Sequence, residues 1–238
     1  MEFTLHLHDL AVGYDQHVVL DHIALHANAG DLVVLMGTNG SGKSTLLRTL
    51  AGLLEPVAGE CMVLDDVAGG QAERIAYLPQ HPAALGTLPL RASDVVAMGR
   101  YARRGLISRF NNHDRDVVEH SMKRMGVLAF RDKPLHALSG GQQQRVHLAQ
   151  ILAREADVLL LDEPTAGLDA QGRDAVARMV DHERARGCTV VMATHDLVDA
   201  EPANTVLLLA HRLVAQGSPS EVLTDENLRA TYGFTDRH

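Results

Sequence analysis

Nine consecutive residues, Gly37, Thr38, Asn39, Gly40, Ser41, Gly42, Lys43, Ser44 and Thr45, carry the most specific chemistry in the chain. They match G-x-x-x-x-G-K-[ST], a loop whose glycines let backbone amides curl inward around phosphate oxygens. Lys43 is placed to reach the β- and γ-phosphates of a nucleotide, and the Ser44 hydroxyl is a hard oxygen ligand suited to Mg²⁺. A second group stands at Leu159–Pro164, where an apolar run ends in two consecutive carboxylates, Asp162 and Glu163. Side chains alternate along a strand, so these two point differently and can divide the work. Asp162 is expected in the Mg²⁺ shell and Glu163 as the general base that polarises an attacking water.

A third group, Leu138–Gln142, reads LSGGQ. Ser139, Gly140 and Gly141 open a helix whose apolar positions Val146, Ala149, Leu152 and Ala153 recur at helical spacing. Two glycines and a hydroxyl at a helix amino end make another anion site that permits close backbone approach. One chain therefore carries two phosphate-binding helix starts, while nothing in it suggests two nucleotides per chain.

The elements that must position these groups are legible from periodicity. Leu32–Met36 is a continuous apolar run of the kind buried on both faces, and Leu46, Leu47, Leu50 and Leu54 place a helix over Ser44–Leu54 directly behind the glycine loop. Val158–Leu161 and Thr189–Ala193 are two more buried strands, each ending at polar residues as parallel strands do at a site. Phe3, Leu5 and Leu7 alternate with polar residues, and Val18–Leu20 and Ile23–Leu25 read as further short strands, so the chain opens in an antiparallel edge sheet. Between Gln80 and Ser139 the pattern is helix-rich and punctuated by proline and glycine, an inserted helical lobe. Val206–Leu209 and Leu213–Gln216 predict a hairpin before a short helical tail.

Composition narrows the remaining classes. The chain has 238 residues, 46% of them hydrophobic, enough for one large domain or two closely packed lobes. Its formal net charge is −8, which disfavours a nucleic-acid partner. Cys61 and Cys188 stand apart in apolar stretches, as suits a reducing compartment. The residues from Met1 to Gly30 lack a basic start with an apolar core, and the apolar runs are far shorter than the ~20 residues that span a bilayer, so a membrane role calls for a partner chain. Fourteen histidines raise the question of a metal site, with His6 and His8 on one side of a strand. The histidines are scattered along the chain, and solvated imidazoles are the expected reading.

The three groups together resemble the ABC ATPase family, and the resemblance runs over nearly the whole chain. It implies an α/β fold: a P-loop NTPase (RecA-like) core with an antiparallel β subdomain and an inserted α-helical subdomain. Residues 1–87 and 155–238 would form the core lobe, and 88–154 the helical lobe, within a single nucleotide-binding domain over 1–238. It implies ATP and Mg²⁺ as cofactors, and a head-to-tail homodimer or pseudo-dimer in which Ser139, Gly140, Gly141 and Gln142 of one subunit cap the ATP on the other. Further motifs follow in order. Tyr14 matches the aromatic that stacks on adenine, and Gln80 the glutamine that touches Mg²⁺ and links to the helical lobe. Asp169, after Gly167 and Leu168, lies in the loop crossing the dimer seam, and His195 matches the histidine on the γ-phosphate.

Val95–Phe110 and Leu138–Gln150 resemble the importer ATPases that serve manganese, zinc or iron-chelate uptake. That reading implies a cytoplasmic subunit, peripheral on the inner face of the membrane beneath a permease and served by an extracytoplasmic binding protein. The competing expectations are an exporter or lipoprotein-release ATPase, or a nontransport ABC ATPase. The segment from Gly59 to Gln80 is short for the family and leaves its strands undefined. Arg91, Arg100, Arg103, Arg104 and Arg109, with Tyr101 and Phe110, form a basic island after Gln80 that reads either as a permease-docking surface or as an ordinary solvated helix face.

Overall fold

The structure is a computed structural model and describes residues 3–15, 17–82, 89–104 and 110–233, apart from the side chains of 102–104. Its centre is set by three strands whose every residue is buried: β3 (Leu32–Gly37), β7 (Val158–Asp162) and β8 (Thr189–Thr194). Continuous Val, Leu and Met runs demand cover on both faces, which a parallel sheet with helices provides. They lie in a six-stranded sheet of order β10-β9-β3-β8-β7-β6, with β6 at Ile75–Leu78, β9 at Thr205–Leu209 and β10 at Leu213–Gly217. Every neighbouring pair is parallel except β9–β10. Met36 pairs with Thr194 and Asp162 with Ala193, so the loops leaving β3, β7 and β8 open along one edge of the sheet.

Alternation along β3 divides two cores. Val33 and Leu35 face a cluster with Leu46, Leu47 and Leu50 of α1 (Lys43–Leu50) and with Leu5, Leu7 and Ile23 of a second, antiparallel sheet. That sheet has the order β2-β1-β4-β5, formed by β1 (Leu5–Tyr14), β2 (His17–Ala27), β4 (Ala58–Val63) and β5 (Asp66–Val67). Leu32, Val34 and Met36 face the opposite cluster, built with α2 (Ala92–Arg104), α3 (Asn112–Arg124), α4 (Gly140–Ala153) and α5 (Ala170–Ala185). Short helices α6 (Leu197–Ala200), α7 (Pro219–Val222) and α8 (Asp225–Tyr232) complete the chain. Truncating a fully buried leucine such as Leu47 to alanine costs about 2–5 kcal/mol, so the slab between the sheets fixes α1 firmly behind the glycine loop.

The structure corrects several expectations. The two short strands expected at Val18–Leu20 and Ile23–Leu25 are one strand, kinked at His22, whose φ of 51° marks a local irregularity that alternation alone hides. α1 ends at Leu50, four residues early, because Leu53 N donates to Arg48 O and Gly52 N to Thr49 O, both at 2.9 Å, closing a Schellman turn. The undefined segment after Gly59 supplies β4, β5 and β6, and β6 is an edge of the central sheet leading straight to Gln80. Within the basic island Arg100 is no surface residue: its side chain is 4% exposed, and it bonds Asp114 Oδ1 at 3.1 Å and Glu155 Oε2 at 2.6 Å. It also donates to the carbonyl of Ala153 at 2.9 Å, tying α2 to α3 and to the end of α4. Arg91 is exposed. The side chains of Arg103 and Arg104, and Arg109 as a whole, lie outside the described residues.

Candidate functional site

The glycine loop leaves β3 at a point where only glycine fits. A Cβ on Gly37 would lie 2.0 Å from the carbonyl oxygen of Leu209 on the neighbouring strand. At the other end Gly42 has φ 104° and caps α1 with no side-chain hydrogen bond, and the helix carries no acidic residue in its first turn. The amides that begin α1 are thus left for an external anion. Lys43 is 6% exposed, and its Nζ donates to the carbonyls of Gly37 at 2.7 Å and Thr38 at 2.9 Å, folding the cation back across its own loop. Burial lowers the Lys43 pKa from its ordinary value, while Glu163 and Asp162 oppose that shift. A buried cation whose hydrogen bonds go to carbonyls, beside open helix amides, fits a phosphate group. Thr38 is partly exposed and Asn39 exposed at the rim, while Ser41 and Thr45 are buried beneath them. Among the described residues the Ser41 hydroxyl has no hydrogen-bond partner, one more polar atom in this cradle left for a ligand to satisfy.

Asp162 ends β7 directly below this loop. It is 2% exposed, and burial raises its pKa; a hydrogen bond from the Ser44 hydroxyl pulls the other way, while the neighbouring Glu163 carboxylate adds to the rise. Ser44 and Asp162 therefore present two hard oxygen ligands side by side, the donor set that Mg²⁺ takes. Glu163 leaves the strand in a left-handed conformation, φ 49°, its amide donating to Ala193 O at 3.0 Å. Such backbone is uncommon outside glycine, and here it turns the chain out of the strand at Glu163. His195, at the end of β8, brings Nδ1 to 3.6 Å from Glu163 Oε2 while remaining largely exposed. Lys43, Ser44, Asp162, Glu163 and His195 are thus gathered at one sheet edge from three separate stretches of sequence.

Other expected residues stand apart from this group or are engaged in structural bonds. Tyr14 is 42% exposed, and its hydroxyl accepts from Arg48 Nη1 at 3.0 Å and from Thr45 Oγ1 at 3.5 Å. Gln80 is exposed in the turn after β6. Asp169 caps α5, accepting from Gly172 N at 2.8 Å. At the start of α4, Ser139 Oγ accepts from Gln142 N at 3.3 Å, and Gln142 Oε1 accepts from Ser139 N at 3.0 Å. This reciprocal cap occupies the Gln142 side chain, whereas Gly140 faces open space, with nothing within 4 Å of a Cβ built on it. Among the described residues no three or more His, Cys, Asp or Glu side chains are grouped so as to hold a metal ion.

Two residues of the site region escaped the sequence reading. Arg48, which holds the Tyr14 hydroxyl, sits three residues after Thr45 on the same face of α1, a spacing that could have flagged it. Asp199, discussed below, carried no motif.

A buried parallel sheet, an uncapped glycine loop, paired carboxylates and a capped glycine helix define an ABC-type ATPase. Residues 20–166 match the family model described as ABC transporter, and the chain belongs to that family. It binds and hydrolyses ATP as that family does. It is 37% identical over 232 residues to the manganese transport system ATP-binding protein MntB of Bacillus subtilis, covering 97% of this chain and 93% of that protein. It is 35% identical over 232 residues to the zinc transport system ATP-binding protein TroB of Treponema pallidum, covering 97% of this chain and 87% of the relative. Among solved structures, an inward-facing metal-chelate type ABC transporter superposes with a TM-score of 0.82 at 29% identity, over 96% of this chain and 88% of that one. No helix of the described residues is long and apolar enough to cross a membrane.

Proposed function

We propose that this chain powers the import of a transition-metal ion, manganese or zinc, through a separate membrane permease that receives its cargo from an extracytoplasmic binding protein. The observation carrying this reading is similarity over nearly the full chain, at 35–37% identity, to ATP-binding proteins of manganese and zinc transport systems. The chain would work at the cytoplasmic membrane face, and the metal cargo would not touch it.

In the mechanism, the amides of Gly40–Thr45 and the Lys43 ammonium hold the phosphates of ATP. Ser44 and Asp162, together with Gln80, would hold Mg²⁺, whose chemistry there would be charge neutralisation at the phosphates. Glu163 takes a proton from the attacking water, and His195, beside it, contacts the γ-phosphate. Tyr14 packs against adenine. Closure is assigned to a second copy, whose Ser139, Gly140 and Gly141 approach the γ-phosphate from the open side, with Asp169 at the seam. The lobe over 88–154 turns against the core lobe (1–87 and 155–238) as the dimer closes, and Gln80 lies at the joint.

The test is removal of the gene followed by uptake of radiolabelled manganese and zinc. Loss of one of these uptakes, restored by the wild-type chain but not by Glu163→Gln, is the expected outcome. Unchanged uptake of both ions would contradict metal import. Purifying the wild-type chain with the membrane protein it extracts identifies the permease.

A further inference from the structure

The two loops that deliver Glu163 and His195 belong to different strands, and a single carboxylate fastens them together. Asp199, on the short helix α6, accepts through Oδ2 from Thr194 Oγ1 at 2.8 Å and from Thr165 Oγ1 at 3.4 Å. Thr194 is the last residue of β8, directly before His195, and is 2% exposed. Its hydroxyl oxygen also accepts from Asp196 N at 3.1 Å, which fixes the turn immediately after His195. Thr165 lies two residues beyond Glu163, in a segment whose backbone continues the restraint: Ala166 N donates to Glu163 O at 3.1 Å and Leu168 N to Thr165 O at 3.2 Å. Glu163 itself stands in a left-handed conformation, and its amide reaches across to Ala193 O at 3.0 Å, one residue before Thr194. A strained backbone of this kind persists only where its surroundings over-determine it.

From this geometry we infer that Asp199 is a positioning residue for hydrolysis: it clips the Glu163 loop to the His195 loop and so sets the separation of the two side chains. The inference rests on the reading of Glu163 as base and His195 as its neighbour on the γ-phosphate. Among the described residues Asp199 hydrogen-bonds to the two threonine hydroxyls and not to Glu163 or His195, so it acts through the threonines. The 3.6 Å gap between His195 Nδ1 and Glu163 Oε2 depends on where two loops end, and past Asp162 and Thr194 the bond from Glu163 N to Ala193 O is the last that ties these loops to a neighbouring strand among the described residues. The chemistry requires an acceptor facing two hydroxyl donors, which a carboxylate or a carboxamide oxygen supplies and an alanine does not. Misplacement of a reacting group by about 1 Å costs on the order of a hundredfold in rate, so the clip needs to govern only a small displacement to matter.

The test uses the full chain and follows steady-state hydrolysis together with ATP binding. Asp199→Ala is expected to lower kcat by about ten- to a hundredfold while KM and ATP affinity change less than about twofold. Asp199→Asn, which keeps an acceptor oxygen, should restore most of kcat. Thr194→Val should reproduce the defect, and its combination with Asp199→Ala should add little to either alone, since both remove one clip. Thermal unfolding separates this role from a purely structural one. A variant that melts earlier but turns over normally once folded, or an Asn variant as impaired as the Ala variant, would overturn the clip. Failure of the underlying assignment reads differently: Glu163→Gln would then hydrolyse ATP at the wild-type rate, whatever the Asp199 variants do.

Discussion

Two helices in this chain begin with glycines suited to anions, and they are finished differently. α1 starts at Gly42 with a left-handed cap, no side-chain partner and a nearly buried lysine against its own loop. α4 starts at Ser139 with a closed reciprocal cap, Ser139 and Gly140 exposed, and open space where a side chain at Gly140 would stand. The first start keeps its amides free inside a walled cradle, as suits an anion held by one chain. The second has satisfied its own turn and leaves Gly140 open among the described residues, while Gly141 lies against the Gly167 carbonyl and Leu168. Similar residue types are thus finished in two ways, and on the function proposed above α1 would enclose a ligand while α4 would offer a face to one held by a second copy.

The largest expected effects break this comparison at its chemical end. Glu163→Gln keeps the shape of the side chain and removes its basicity, so hydrolysis should fall by roughly 10²- to 10⁴-fold with ATP still bound. Phosphate release measured beside nucleotide binding checks both halves, and a wild-type rate contradicts the base assignment. Ser139→Arg strikes the other helix start. It should leave ATP binding at α1 intact, because Ser139 has no place in that cradle, yet block hydrolysis by filling the open face. Cross-linking between the Lys43 region of one chain and the Ser139 region of another reports the head-to-tail pairing directly. Links confined to single chains would mean that the α4 face serves something other than a second copy.

A smaller effect sharpens the same contrast by asking what holds α4 in place. Arg100 joins α2 to Asp114 of α3, to Glu155 and to the carbonyl at the end of α4, almost wholly out of solvent. Removing one partner of a buried ion pair costs about 3–5 kcal/mol, because the remaining carboxylate loses a counter-charge where water cannot replace it. Arg100→Ala is therefore expected to destabilise the chain by about that amount in a denaturant titration, with Asp114→Ala in addition returning part of the loss. A change below about 1 kcal/mol would put Arg100 back on the surface as a docking residue.

How much of this was legible in the sequence follows from which interactions are local. Lys43, Ser44, Asp162 and Glu163 declare themselves because an apolar strand running into a polar turn is a contiguous pattern, and their convergence follows from parallel pairing of β3, β8 and β7. The β6 edge strand escaped because Ile75–Leu78 is only four residues long and lies between a 3₁₀ turn and Gln80, too short for a period to show. Arg100 looked like part of a basic surface because its neutralising carboxylates, Asp114 and Glu155, are remote in sequence. Likewise Tyr14 is recognisable as an aromatic near a nucleotide, but its hold on Arg48 exists only once β1 is laid beside α1. Long-range pairs of this kind leave no spacing to read.

The smallest expected effect concerns pH and the flank of α4 that faces the core rather than the glycine surface. His147 is 9% exposed and lines a groove with Tyr77, Leu78, Met98, Ile151 and Arg154, with Gln150 Oε1 at 3.3 Å from its Nδ1. Burial holds its pKa below the ordinary value of 6.5, and the Gln150 hydrogen bond offsets only part of that. In the window below 6.5 the unfolded chain therefore binds more protons at this position than the folded one. Its contribution to stability is complete above that value and declines as the pH falls toward the folded pKa, with a slope of at most about 1.4 kcal/mol per pH unit. The groove also contains the phenol of Tyr77 and the guanidinium of Arg154, neither of which changes charge in this range, so the window belongs to the imidazole. Chemical denaturation of the wild type and of His147→Gln at pH 7.5 and pH 5.5 separates the His147 contribution from that of the other histidines. The stability difference between the two proteins should shift toward the variant at the lower pH. An identical pH slope in both would mean that the imidazole is as easily protonated in the folded groove as in the unfolded chain.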